Sequence, residues 1–320
     1  MPRRHCIGRV DLQRTEESRP GWLAMIRGYV ATNRSSAIGL AMAMLLVIVM
    51  IGQNLVSIAA GESPIGLRNA LLGGLAGFVA TSLGAIPAVA LRSLPQKLED
   101  SLLGVAAGMM LAASAFSLLL PGLAAGEAIL GTKALGAGVV VIGMFLGVLL
   151  MLGLDRFTPH AHEQAGRFGP GNERYDRVWL FVFAVALHNL PEGMAIGVSF
   201  AQNDLNVGLP LTTAIALQDI PEGLAVALAL RSAGFGTGKS VLVAAASGLL
   251  EPLGSLLGVG LSSGLAVAYP IGLGLAAGAM IFVVSHEVIP ETHRNGHQTP
   301  ATLGLMLGFA LMMVLDTTLG

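Results

Sequence analysis

The sequence predicts an all-α membrane protein, a bundle of transmembrane helices without a separate soluble domain. Three observations carry this. Of the 320 residues, 54% are hydrophobic and only 12% are charged, and the mean hydropathy is +0.74, which is too apolar for a soluble domain. The 43 glycines and abundant alanines suit helices that approach backbone to backbone, as bundles do where lipid removes the hydrophobic drive. Long apolar runs recur between short polar gaps, each run near the ~20 residues that cross a bilayer.

Residues 1–36 are polar, with Arg3, Arg4, Arg9, Arg14, Arg19, Arg27 and Arg34 against Asp11, Glu16 and Glu17, and read as a cytoplasmic tail. The run 37–60 lies far from the start and exceeds the roughly 7–15 apolar residues of a secretory signal, so it reads as a retained N-terminal transmembrane helix. Hydropathy then places helices at 66–91, 99–121, 134–154, 178–201, 206–230, 240–262, 268–290 and 299–319. Cys6, the single cysteine, excludes an intramolecular disulfide.

With the N-terminus inside, Arg92, Lys97, Arg156, Arg167, Arg174, Arg177, Arg231, Lys239 and Arg294 join the tail arginines on the cytoplasmic side. Only Arg68 and Lys133 of the 18 basic residues fall outside. The positive-inside rule therefore orients the chain in a bacterial inner membrane. The longest connector, 155–177, holds Pro159, Pro170, His160 and His162 and reads as a flexible cytoplasmic loop. The net charge of -1 identifies no partner, and no nucleic acid is expected; the lipid bilayer is.

One pattern occurs twice near the middle of consecutive spans: Ala186-Leu187-His188-Asn189-Leu190-Pro191-Glu192-Gly193 and Ala216-Leu217-Gln218-Asp219-Ile220-Pro221-Glu222-Gly223. Consecutive spans run antiparallel, so the copies form an inverted pair of the kind found at transporter midplanes. At about 100° per residue, His188 falls about 40° from Glu192, and Asn189 about 60° from it on the other side. Glu222 stands likewise between Gln218 and Asp219, so each glutamate could bridge two cations. Pro191 and Pro221 lack an N–H and crowd the carbonyls of Leu187 and Leu217, predicting kinks and freed backbone oxygens.

Glu251 is a further mid-span carboxylate, and Met110 lies mid-span in 99–121. No Lys or Arg stands in the middle of any span, so Glu192, Asp219, Glu222 and Glu251 have no counter-charge from the chain. Two divalent cations would neutralise them, and a mixture of imidazole, carboxylate, amide and thioether suits zinc or a similar metal better than calcium or magnesium. A lone membrane His or Asn more often bonds a neighbouring helix, and a membrane Met more often packs. The duplication with matched glutamates is what favours a site.

At these residues the sequence resembles the ZIP family of divalent-metal transporters, in particular its GufA-type prokaryotic branch. The paired motifs carry the resemblance, which covers 66–319. It implies a transporter domain over 66–320 built as an eight-helix 3+2+3 bundle with inverted repeats, the helix at 37–60 being extra. It also implies import of Zn²⁺, with Cd²⁺, Fe²⁺ or Mn²⁺ as further substrates, an elevator-like motion and a homodimer. The binuclear metal centre it implies maps onto Met110, His188, Glu192, Gln218, Glu222 and Glu251 for one ion. Asn189 and Asp219 with the shared glutamates would hold the second. Gln218 departs from the His of some branches.

Competing functions are weaker. No Gly-x-x-x-x-Gly-Lys-[Ser/Thr] phosphate loop supports ATP-driven transport. An intramembrane metalloprotease needs His-Glu-x-x-His, and His286-Glu287-Val288-Ile289-Pro290 lacks the second His, so no enzyme and no resident cofactor are expected. A proton-coupled cation exchanger using the same carboxylates is the alternative. His286 and Glu287, at the cytoplasmic end of their span, and the loop residues His160 and His162 form a candidate release path.

The orientation is testable by cysteine labelling in intact cells. On a Cys6→Ser background, Thr132→Cys should react with a membrane-impermeant maleimide and Ala165→Cys should react only after permeabilisation; the reverse pattern would invert the topology.

Overall fold

The computed structural model describes residues 65–319 apart from 92, 158–159, 163–165, 169–176 and 263–264, together with isolated positions between 34 and 60. The expected tail at 1–36 and the expected helix at 37–60 otherwise lie outside the described residues. Inside hydrocarbon every backbone N–H and C=O needs a partner from its own segment, and helices meet that demand for chains this apolar.

The elements in order are α1 (Ile65–Ala85) with a 3₁₀ turn (Ile86–Val89), α2 (Gln96–Ala113), α3 (Leu120–Leu130), α4 (Lys133–Phe157), β1 (His160–His162), β2 (Gly166–Phe168), α5 (Arg177–Phe200), α6 (Leu205–Ser232), α7 (Thr237–Ser247), α8 (Leu250–Leu261), α9 (Ala268–Val283), α10 (Ile289–His293) and α11 (Gln298–Leu319). A π-helical turn, Ser114–Leu119, joins α2 to α3, and another, Val284–Val288, joins α9 to α10. Counting such joined helices as one, seven described helices are long and apolar enough to cross a membrane. The 24-residue α5, which carries the first motif copy, makes an eighth of about 36 Å at 1.5 Å per residue.

Two expectations change. The periplasmic loop expected at 121–133 shrinks to Gly131 and Thr132, because the helix continues past Pro121 to Leu130. A proline in an α-helix collides with the carbonyl four residues back, and the wider π turn immediately before Pro121 relieves that collision. Pro290 follows the second π turn in the same way. The connector 155–177, expected as a flexible loop, contains a small antiparallel ribbon with His160 opposite Phe168. Its open edges require water, so the ribbon belongs outside the hydrocarbon. Pro191 and Pro221, where kinks are expected, lie inside α5 and α6.

Glycines at a spacing of four build three reciprocal seams, so that helix backbones touch. Gly104 and Gly108 of α2 abut Ala301 O and Leu305 O of α11, while Gly304 and Gly308 of α11 abut Ser101 O and Val105 O of α2. Gly143 and Gly147 of α4 meet Gly274 and Gly278 of α9 in the same reciprocal way, and Gly193 and Gly197 of α5 meet Gly254 and Gly258 of α8. Gly84 and Gly223 bring α1 against α6. Gly66 meets Phe200 O of α5, Gly74 meets Glu251 O of α8, and Gly126 of α3 meets Gly136 of α4, so among the described residues the backbone contacts divide the spans into two groups, one of α2–α3, α4, α9 and α11 and one of α1, α5, α6 and α8. The second group is tied further at one end, where the Arg231 guanidinium of α6 donates to the carbonyls of Ala88 and, at 2.8 Å, Leu91 beyond α1, a cation meeting the negative end of a helix.

A side chain added to a seam should destabilise the fold. Gly308→Val would drive its Cβ onto Val105 O, and overpacking of this kind costs about 1–3 kcal/mol, whereas nothing lies within 4 Å of a Cβ added at Gly138. A lower melting temperature in detergent is expected for Gly308→Val and not for Gly138→Val.

Candidate metal centre

The two motif copies meet at the middle of the second group of helices. Helices α5 and α6 are joined by four residues, 201–204, and therefore lie antiparallel, so Glu192 and Glu222 approach from opposite directions. Glu192, Asp219 and Glu222 each offer an oxygen within 4.8 Å of the others. Oxygens on one zinc ion, at about 2.0–2.2 Å from it, are at most about 4.4 Å apart, so small rotations would close the three around a cation.

Glu251 joins them from α8, just after the break between α7 and α8 at Gly248 and Leu249. A Cβ at Gly77 of α1 would overlap Glu251 Oε2 and lie 3.1 Å from Asp219 Oδ2, so those two carboxylates converge over Gly77. Thr81, one turn along α1, donates from Oγ1 to Glu251 Oε1 at 2.8 Å. Gln218 Nε2 donates to Glu192 Oε1.

Burial makes this cluster expensive. Glu192 and Glu251 are 0% exposed, and no Lys or Arg is buried among the described residues. Glu192 Oε2, both oxygens of Asp219, Glu222 Oε1, Glu251 Oε2, Gln218 Oε1 and Asn189 Nδ2 are buried with no hydrogen-bond partner among the described residues. Buried polar atoms are nearly always partnered, and an unpaired charge is worse than an unpaired dipole. The unfilled atoms are mostly carboxylate oxygens, on four residues of three helices, pointing to one cation-binding volume.

The other expected residues divide. Asn189 and Gln218 are buried with the cluster. His188 turns its Nε2 to Glu287 Oε2 at 3.0 Å, both side chains being buried. Glu287, expected at the cytoplasmic end of its span, thus reaches a residue of the first motif copy from within the π turn Val284–Val288. Its neighbour His286 is exposed and stacks on Phe282 with ring centroids 4.9 Å apart. Met110 is buried in the apolar core on α2, which packs against α6. His160 and His162 lie on β1, but their side chains are outside the described residues.

Sequence reading missed Thr81 and Gly77. Their signal was a threonine and a Gly73/Gly77 pair inside an apolar run at the depth of the carboxylates, too common in membrane helices to single out.

Comparison with known proteins identifies the family. The family model described as ZIP Zinc transporter matches residues 160–316, which hold both motif copies and Glu251. The chain is similar to the zinc transporter ZIPB of Bordetella bronchiseptica, at 64% identity over 88% of this chain and 92% of that protein. It is 42% identical to the zinc transporter GufA of Myxococcus xanthus over 80% of this chain and 99% of the relative. It is also 30% identical to the zinc transporter ZIP11 of Bos taurus, over 81% and 99% respectively. A motif pair buried between antiparallel membrane helices, and likeness along nearly the whole length of these relatives, lead to one conclusion: the chain is a multi-pass membrane protein of the ZIP zinc transporter family.

Proposed function

We propose that this protein carries divalent metal ions, chiefly Zn²⁺, across the inner membrane into the cytoplasm through a binuclear midplane site. The observation that carries the reading is the cluster of buried carboxylate oxygens that, among the described residues, have no hydrogen-bond partner and no buried Lys or Arg to face them. Cd²⁺, Fe²⁺ and Mn²⁺ are further substrates by the same donor set. One ion takes Met110, His188, Glu192, Gln218, Glu222 and Glu251; the second takes Asn189 and Asp219 with the shared glutamates. Because both ions are cargo, each ligand must release as well as bind.

The transporter is an eight-helix 3+2+3 bundle with inverted repeats over 66–320, preceded by the helix at 37–60, with the N-terminus in the cytoplasm. In support, exchanging α1 with α7–α8, α2 with α9, α4 with α11 and α5 with α6 turns the α2–α11 seam into the α9–α4 seam and the α5–α8 seam into α6–α1. The same exchange superposes the two π turns.

Transport is elevator-like. Every oxygen of the proposed site sits on α5, α6 or α8, inside the group that also holds α1. Met110 and Glu287 sit on the other group, which shares no glycine-mediated backbone contact with the first among the described residues. Sliding the first group against the second would exchange the partner of His188, with Glu287 receiving the ion and His286, His160 and His162 passing it to the cytoplasm. A homodimer in the bilayer follows from the family resemblance.

Two experiments test this. Glu222→Ala should abolish zinc flux into liposomes without lowering the stability of the metal-free protein, because an uncompensated carboxylate at the membrane centre costs roughly 2.5–3.5 kcal/mol. Normal flux would overturn the assignment, and flux driven by a pH gradient without any metal would favour a proton-coupled exchanger.

The second removes one position. Asn189→Ala with Asp219→Ala should leave one zinc per chain by elemental analysis, where the native protein holds two.

A further inference from the structure

The helix that closes the metal centre on its far side is α1, which lies outside the residues matched by the family model and contributes no carboxylate. It nevertheless touches the cluster at two points. Glu251 has one oxygen, Oε1, held by Thr81 Oγ1 at 2.8 Å, and one, Oε2, with no hydrogen-bond partner among the described residues. The Thr81 hydroxyl has a single proton and two acceptors in reach, Glu251 Oε1 at 2.8 Å and Gly77 O at 3.2 Å. The shorter contact goes to the group that can carry charge, and charge-assisted hydrogen bonds are roughly twice as strong as neutral ones.

Thr81 is itself held in place. Gly223 of α6 abuts Thr81 O, and a Cβ added at Gly248 would meet Thr81 Cβ at 3.0 Å and Oγ1 at 3.2 Å. With Oε1 anchored, the Glu251 carboxylate can present only Oε2 inward, toward Asp219. The space between those two carboxylates is kept open by the absence of a side chain at Gly77, since a Cβ there would occupy the place of Glu251 Oε2 and press on Asp219 Oδ2.

We propose that Thr81 and Gly77 are positioning residues for Glu251, a ligand of the first ion, where it faces Asp219, a ligand of the second. Thr81 fixes which oxygen of Glu251 is offered to its ion, and Gly77 reserves the volume in which that carboxylate and Asp219, the ligands of adjacent ions, come together. Outer hydrogen bonds of this kind orient ligands, and their loss typically costs about 10–100-fold in metal affinity. This inference rests on the binuclear reading above, but adds a helix and two residues that bind no metal themselves.

The test is zinc binding to the full-length protein purified in detergent, read as ions per chain and as the dissociation constant of each, with melting temperature as a check on folding. Thr81→Val keeps the shape and removes the hydroxyl; Thr81→Ser keeps the hydroxyl. The expected result is two ions in the native protein, one of them weakened about 10–100-fold in Thr81→Val, near-native binding in Thr81→Ser, and one ion in Gly77→Ala. Native binding of both ions in Thr81→Val, equal weakening in Val and Ser variants, or two native-affinity ions in Gly77→Ala would each overturn the proposal while leaving the metal centre standing. Fewer than two ions in the native protein would overturn the binuclear reading itself, and this inference with it.

Discussion

Four carboxylates buried together in a membrane bundle, with no buried lysine or arginine among the described residues to face them, set the terms for the rest of this molecule. The charge of such a cluster is tolerable in hydrocarbon only when a cation sits in it or protons neutralise it. Glu192, Asp219 and Glu222 already stand close enough to share one ion, and the free oxygen of Glu251 points to the same volume. A polar site of this density also needs helices that come very close, since four side chains from three spans must reach a common centre. Gly193 and Gly254 make that possible where α5 crosses α8 at Glu251, and Gly223 does so where α6 crosses α1 at Thr81.

The same close packing separates the bundle into parts. Reciprocal glycine seams lock α2 to α11 and α4 to α9, and others lock α5 to α8 and α6 to α1. Between the two groups the contacts are made by side chains, among them Met110, Met280 and several alanines of the shared core. Interdigitated backbones resist sliding, because each carbonyl occupies the notch of a missing side chain, whereas a surface of alanine and methionine offers fewer such locks.

Across that boundary His188 pairs with Glu287 at 3.0 Å. It places an imidazole that is a candidate ligand against a carboxylate from the opposite group, so binding at the centre and contact between groups compete for one side chain. The π turn that delivers Glu287 has a counterpart on α2, and each is followed by a proline. In both places a local departure from α geometry stands next to the region where the groups meet.

The amino-acid sequence by itself determined the class of the molecule, because lipid leaves an apolar chain little but helices and because span length follows from bilayer thickness. It also determined the candidates Glu192, Asp219, Glu222 and Glu251, since a carboxylate in mid-span is conspicuous and the repeat of Pro-Glu-Gly ties two of them to one site. The π turns were not legible, for they depend on how the chain accommodates Pro121 and Pro290 within packed neighbours rather than on any residue preference. Nor was the partnership of His188 with Glu287, 99 positions apart, which only the folded path of α9 brings about. The glycine spacing of four was written in the chain, but which seam joins which helix is set by the tertiary arrangement. Thr81 and Gly77 show why: a hydroxyl and a missing side chain acquire a role only when Glu251 and Asp219 are folded against them, since positioning is a relation between helices and no single segment contains it.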